Sequence, residues 1–231
     1  MAFNELNTPP VPQVPIKDDD KKLFVSINAF VYEYMSKYDN SHDYQHILRV
    51  TSNANRILQA ELNSNPSAKY DTTTLFLAAL LHDVGDHKYV KPGEDIENQI
   101  ANTLLAQGAN EELALKVQTI VKHVSYTLEI ANPSSVASVL QRYPELAIVQ
   151  DADRLDAIGA VGIARCFSFG AAKMPEQPMD RAVGHFDLKL YKLAGMMKTD
   201  AGKDMAQKRH KVLVEFEKQW KEETELGFEL R

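Results

Sequence analysis

The stretch that most constrains this chain is the run of seven apolar residues from Leu75 to Leu81, followed at once by His82, Asp83, Val84 and Gly85. Seven residues fall far short of the roughly 20 that cross a bilayer as a helix. The run reads instead as a helix buried in a protein core. Asp71, ahead of three threonines, is a candidate N-cap, and Gly85 a candidate stop. An adjacent histidine and aspartate at the end of a buried helix needs a physical reason, because an unpaired buried carboxylate is costly. Two readings follow. A divalent cation would take imidazole nitrogen and carboxylate oxygen together. Alternatively, His82 meets the negative end of the helix dipole while Asp83 faces water.

A chain of 231 residues is long enough to bury one full core. Its hydrophobic content of 44% and charged content of 25% are ordinary for a globular protein. The net charge of -6 argues against a nucleic-acid partner. Cys166 is the only cysteine, which excludes an intrachain disulfide and a cysteine-rich zinc site. No secretory segment and no membrane span is evident, so the expected location is the cytoplasm.

Apolar spacing predicts an all-α fold of about eight or nine helices in one domain over residues 18–231. Residues 1–17, with Pro9, Pro10, Pro12 and Pro15, read as a flexible arm. Helices are expected at about 21–38, 43–63 and then the central run. Others follow at about 96–108, closing near Gly108, and at 110–123, with Asn110 as cap. A short helix is expected near 136–142 and another after Pro144. Residues 158–172 continue as helix or bend, and two amphipathic helices are expected at about 180–197 and 200–225. The residues between 125 and 143 read as an insertion.

Candidate ligands fall in three separate segments: His46; the pair His82 and Asp83; and the run Asp151-Ala-Asp153-Arg-Leu-Asp156. No local spacing rule unites them. The patterns His46-x-x-Arg49-Val50, Ala78-Ala-Leu-Leu-His-Asp-Val-Gly85 and Asp151-Ala-Asp-Arg-Leu-Asp-Ala157, in this order, resemble the HD superfamily of metal-dependent phosphohydrolases. The longer run from Gln150 to Arg165 looks like the YpgQ/YedJ-type branch, which is linked to pyrophosphohydrolysis of nucleoside triphosphates. The resemblance spans about residues 41–192. It implies four metal ligands, His46, His82, Asp83 and Asp153, with Asp83 and Asp86 as catalytic residues and Asp86 as general acid/base. Asp151 lies about 200° round the helix from Asp153, so the two should not face one ion. Asp156 is one turn from Asp153 and can share its face, although surface charge or pairing with Arg154 also fits Asp151 and Asp156.

The donor set suits Mn²⁺, Fe²⁺, Co²⁺, Ni²⁺ or Zn²⁺ without selecting among them, and Mg²⁺ less well; Mn²⁺ is the expected ion. Such a cation acidifies water and offsets charge growing on phosphoryl oxygens. His42, His87, Lys88, His123, Arg165, His185 and Lys189 are candidates for binding phosphate. The expected substrate is a nucleotide, with a triphosphate giving a monophosphate and pyrophosphate. A 5'-nucleotidase, another HD phosphomonoesterase or phosphodiesterase, or a non-catalytic metal or nucleotide sensor stays open. A zincin reading fails because Gln45, not glutamate, precedes His46.

Overall fold

The computed structural model describes residues 9–85 and 97–229, and the described residues are helical with no strand. Helix α3 (Thr72–Leu81) lies at the centre, and every residue from Thr73 to Leu81 is buried. Asp71 caps it, accepting from the Thr74 amide and from the Thr74 hydroxyl at 2.7 Å. Burying each large aliphatic or aromatic side chain of this run contributes about 1.5–3 kcal/mol. The cap supplies polar partners that a wholly apolar helix lacks at its start.

Helices α1 (Lys21–Met35), α2 (Tyr44–Ser64), α5 (Glu111–Lys122) and α8 (Glu145–Asp156) pack around α3. Asp43 caps α2 by accepting from the His46 amide, and Ile47, Val50, Ala54, Ile57 and Leu58 form its buried stripe. That stripe lies along both α3 and α8. Helix α4 (Gln99–Ala106) ends at Gly108, whose φ of +94° suits glycine. The expected cap Asn110 accepts from the Leu113 amide at 2.9 Å. The segment read as an insertion holds two helices, α6 (Tyr126–Ala131), capped by Ser125, and α7 (Pro133–Arg142), capped by Asn132. Helix α6 is too short to announce itself by apolar period.

Beyond α8 the chain turns through 67° into α9 (Gly159–Lys173). Gly159 makes the turn at φ +76°, and a Cβ there would stand 3.0 Å from the Cβ of Arg209. The helix expected over 180–197 is continuous from Asp180 to Met196 but changes its winding along the way. It runs as α10 (Asp180–His185), a π-helical stretch (Phe186–Leu190), the single turn α11 (Tyr191–Leu193) and a 3-10 turn (Ala194–Met196). Apolar period cannot distinguish these windings over so few residues. Helix α12 (Asp200–Thr224) packs against α8 and α9.

The described part of the proline-rich arm also differs from the loose segment expected. Val11, Val14 and Ile16 lie against the core, and the Pro10 carbonyl accepts from Asn28 Nδ2 at 3.2 Å and Tyr44 Oη at 3.0 Å. Proline has little conformational freedom to lose, so a few apolar contacts suffice to hold such a segment down. No single helix among the described residues is long and apolar enough to cross a membrane.

Candidate metal centre

Three helices bring the candidate ligands together. His46 lies in the first turn of α2, His82 is the C-cap of α3 with Asp83 next to it, and Asp153 lies in the last turn of α8. The Nε2 atoms of His46 and His82 stand 3.1 Å apart. Asp83 Oδ2 is 2.9 Å from the first and 3.0 Å from the second, and 3.2 Å from His42 Nε2. Asp153 Oδ1 faces the same point at 3.7 Å from His46 Nε2 and 3.8 Å from His82 Nε2. Among the described residues, the ligand atoms that gather within 4.8 Å of one another belong to His42, His46 and Asp83, and to His46, His82 and Asp153. The two groups share His46, and between them they contain the four expected ligands together with His42.

Tautomers follow from the outer partners. His82 Nδ1 lies 2.9 Å from the Ala79 carbonyl, which can only accept, so this nitrogen carries the proton. The lone pair of neutral His82 then sits on Nε2, facing His46 and Asp83. Two imidazole nitrogens and a carboxylate oxygen that converge in this way repel unless a proton or cation lies between them. Burial pulls the His82 imidazole down, but Asp83 and then Asp153 outweigh it and lift it to about 9. Burial pushes the Asp83 carboxyl up, and His82 and His42 override this and hold it well below the usual carboxylate range. Yet Asp83 Oδ2, fully buried, meets no donor in hydrogen-bond geometry. Donors about 2.1 Å from one ion and at right angles stand about 3.0 Å apart. The three shortest separations fit that spacing, and the mixed nitrogen and oxygen set suits a first-row divalent ion.

The turn that carries the pair is fixed from outside: Gly85 adopts φ +79° and its amide donates to Tyr34 Oη at 3.1 Å. His42 lies before α2 rather than within it, but its ring stacks on His46 with centroids 5.3 Å apart. Burial lowers its imidazole, against the pull of Asp83.

The polar residues of α8 point in different directions. Asp151, as expected from its angle, faces away from the cluster. It is buried rather than at the surface, and accepts from the amides of Lys198 and Thr199, each at 2.8 Å. Asp156 is buried as well, and its partners are Arg49, Arg165 and His46 rather than Arg154. Arg154 instead pairs with Glu129 of α6, which also receives Lys198 Nζ at 2.6 Å. The surface reading of these two aspartates fails because helical period gives a residue's direction and not what the neighbouring element brings to meet it. Arg49 was not among the expected site residues. Its position three residues after His46 on one helix was the available signal.

The remaining candidates are more dispersed. Arg165 donates from Nε to the Ser41 carbonyl at 2.8 Å and from a terminal nitrogen to Asp156 at 3.1 Å, bracing the centre from behind. Both ring nitrogens of His123 have partners in the fold, the Thr119 carbonyl at 2.7 Å and Ser135 Oγ at 2.9 Å. His185 is half-buried, which lowers its imidazole, and Lys189 Nζ lies 5.0 Å from the ring centre of Tyr126. Neither His123 nor His185 joins the ligand cluster. Asp86, His87 and Lys88 lie outside the described residues.

The chain is similar to known proteins in both sequence and structure. The family model for the HD domain matches residues 43–158, which include His46, His82, Asp83 and Asp153. The chain is 33% identical over 195 residues to the uncharacterized Bacillus subtilis protein YpgQ, covering 84% of this chain and 89% of that one. The crystal structure of YpgQ in complex with ADP is similar with a TM-score of 0.65 at 31% identity, covering 88% of this chain and 95% of that one. An HD-superfamily hydrolase from Bacillus thuringiensis aligns with a TM-score of 0.61 at 32% identity, over 88% and 97% of the two chains. The chain belongs to the HD superfamily and is a homologue of YpgQ.

Proposed function

We propose that this protein is a metal-dependent phosphohydrolase acting on nucleotides, cleaving a nucleoside or deoxynucleoside triphosphate to a monophosphate and pyrophosphate. The observation that carries the metal dependence is the convergence of two imidazole nitrogens on the buried, unsatisfied Oδ2 of Asp83. HD domains bind divalent metal ions, and a nucleotide ligand is supported by the ADP complex of YpgQ.

In this reading His46, His82, Asp83 and Asp153 hold the ion, with Mn²⁺ as the first choice. The bound ion supplies Lewis acidity, acidifying water and offsetting charge on phosphoryl oxygens. Asp153, the most exposed of the four side chains at 32%, marks the side open to substrate. His42 stands 3.2 Å from Asp83 Oδ2, within reach of a phosphoryl oxygen held at the centre. Asp86 serves as general acid/base, with His87, Lys88, His185 and Lys189 as sources of phosphate contacts. His123 and Arg165 are candidates as well, each with hydrogen bonds in the fold that a phosphate would have to share or displace.

The test is product analysis on a panel of nucleotides, using metal-stripped protein reloaded with each divalent ion and the variants His82→Ala and Asp83→Ala. Pyrophosphate with a monophosphate is the expected product, and both variants should lose metal and activity while their helical circular dichroism persists. Phosphate released from a monophosphate would replace this reading with a nucleotidase. Full activity in either variant would remove the metal assignment.

A further inference from the structure

Behind the cluster, on the side away from Asp83, His46 Nδ1 lies 2.7 Å from Asp156 Oδ2. The Asp156 side chain is 2% exposed, and a carboxylate so buried needs compensation. It receives Arg49 Nε on Oδ1 at 2.8 Å, and on Oδ2 a terminal nitrogen of Arg49 and one of Arg165, each at 3.1 Å. Guanidinium groups only donate and do not lose their proton in proteins. With two of them on one carboxylate, Asp156 acts as an acceptor. The proton of the His46 contact therefore resides on Nδ1, and the Nε2 lone pair points at His82 and Asp83.

From this geometry we propose that Asp156 is a positioning residue for the metal centre, fixing the ring orientation and the Nδ1–H tautomer of His46 so that its Nε2 is presented as a ligand. The inference rests on the metal-binding reading above. The two histidine ligands then reach one geometry by different means. The Ala79 carbonyl sets His82, and a side chain brought from α8 sets His46. In water a free imidazole favours the opposite tautomer, with the proton on Nε2, which would block the centre. A carboxylate behind a ligating histidine also raises its basicity, and losing such a partner typically weakens metal affinity about 10–100-fold. Arg49 and Arg165 act one step further out, holding the carboxylate in place.

The experiment compares wild type, Asp156→Asn and Arg49→Met by chelator competition with Mn²⁺ and Co²⁺, and by nitrogen-15 NMR of the Zn²⁺-loaded proteins. In wild type, His46 should be metallated at Nε2, with an Nδ1 proton far downfield and slow to exchange. Asp156→Asn should raise the metal Kd about 10–100-fold and speed exchange of that proton. Arg49→Met removes two of the four contacts to the Asp156 carboxylate but leaves those of Arg165 and His46, so its Kd should rise clearly less than that of Asp156→Asn. A purely structural Asp156 predicts that both variants lose affinity alike, and that result would overturn the proposal. So would metallation of His46 at Nδ1 or a rapidly exchanging proton in wild type, a readout that stands even if Asp156→Asn fails to fold. Wild type that binds metal with an affinity shared by Asp156→Asn sinks this inference alone. Wild type that binds none of the ions sinks it together with the metal-binding reading.

Discussion

Replacing Gly202 with alanine tests how α8 is anchored, because two effects of opposite sign compete there. Gly202 lies in the first turn of α12, where alanine should gain about 1 kcal/mol from helix propensity alone. However, an added Cβ would stand 2.7 Å from Thr199 Oγ1, 2.9 Å from Asp151 Cγ, and closer still to Asp151 Oδ2. The Asp151 carboxylate cannot retreat without loss, since it is buried and accepts from Thr199 Oγ1 at 2.7 Å as well as from two backbone amides. Overpacking of this kind costs about 1–3 kcal/mol. A weakened hydrogen bond to a charged acceptor costs about 1.5–3 kcal/mol more. After the propensity gain is subtracted, Gly202→Ala should destabilise by about 3 kcal/mol. For a chain of this size that lowers Tm by about 6–12 °C. Thermal and urea unfolding followed by far-ultraviolet circular dichroism would measure it. The cycle closes with Asp151→Ala: without the carboxylate, the alanine at 202 should cost little or even stabilise. A rise in Tm for Gly202→Ala, or an equal cost in both backgrounds, would refute the reasoning.

Two further predictions concern acid stability and catalysis. Asp71 is held at about 2, where burial pushes it up and Thr74 and Lys116 outweigh that push. A depressed carboxyl contributes stability above its unfolded value and loses it as pH falls through its folded value, so the window runs from 3.8 down to about 2. The stability difference between wild type and Asp71→Asn should be about 1 kcal/mol at neutral pH, allowing for solvent screening, and should vanish across that window. A pH-independent difference in urea titrations would show that Asp71 acts only as a neutral cap. Asp86→Ala should retain metal and lose most turnover, about 100-fold or more. Unchanged kcat in stopped-time product assays would remove Asp86 from the mechanism.

Much of the fold was legible because each signal acts over one or two turns. The apolar run at Leu75–Leu81, Asp71 and Asn110 as caps, and Gly108 as a stop are local matters of burial and backbone conformation. What eluded the sequence is mostly what depends on a distant partner. Residues 9–17 are held by contacts with α1 and α2, and α6 is held by Glu129 reaching Arg154 and Lys198. The π-helical stretch at Phe186–Leu190 differs from an α-helix by too little in period for apolar spacing to register.

The sequence by itself determined the residue types at the centre, their division among three helices, and the angle that turns Asp151 away from Asp153. These depend on motif and helical geometry alone. Only the tertiary structure decided that His46 and His82 present their Nε2 atoms to each other at 3.1 Å with Asp83 between them. It alone decided that Asp156 stands behind His46 and not at the surface. The physical reason is that a side chain's tautomer, charge and orientation are set by the groups that meet it. Here those groups come from α2, α3, α8 and α9, from positions as far apart in sequence as Ser41 and Arg165.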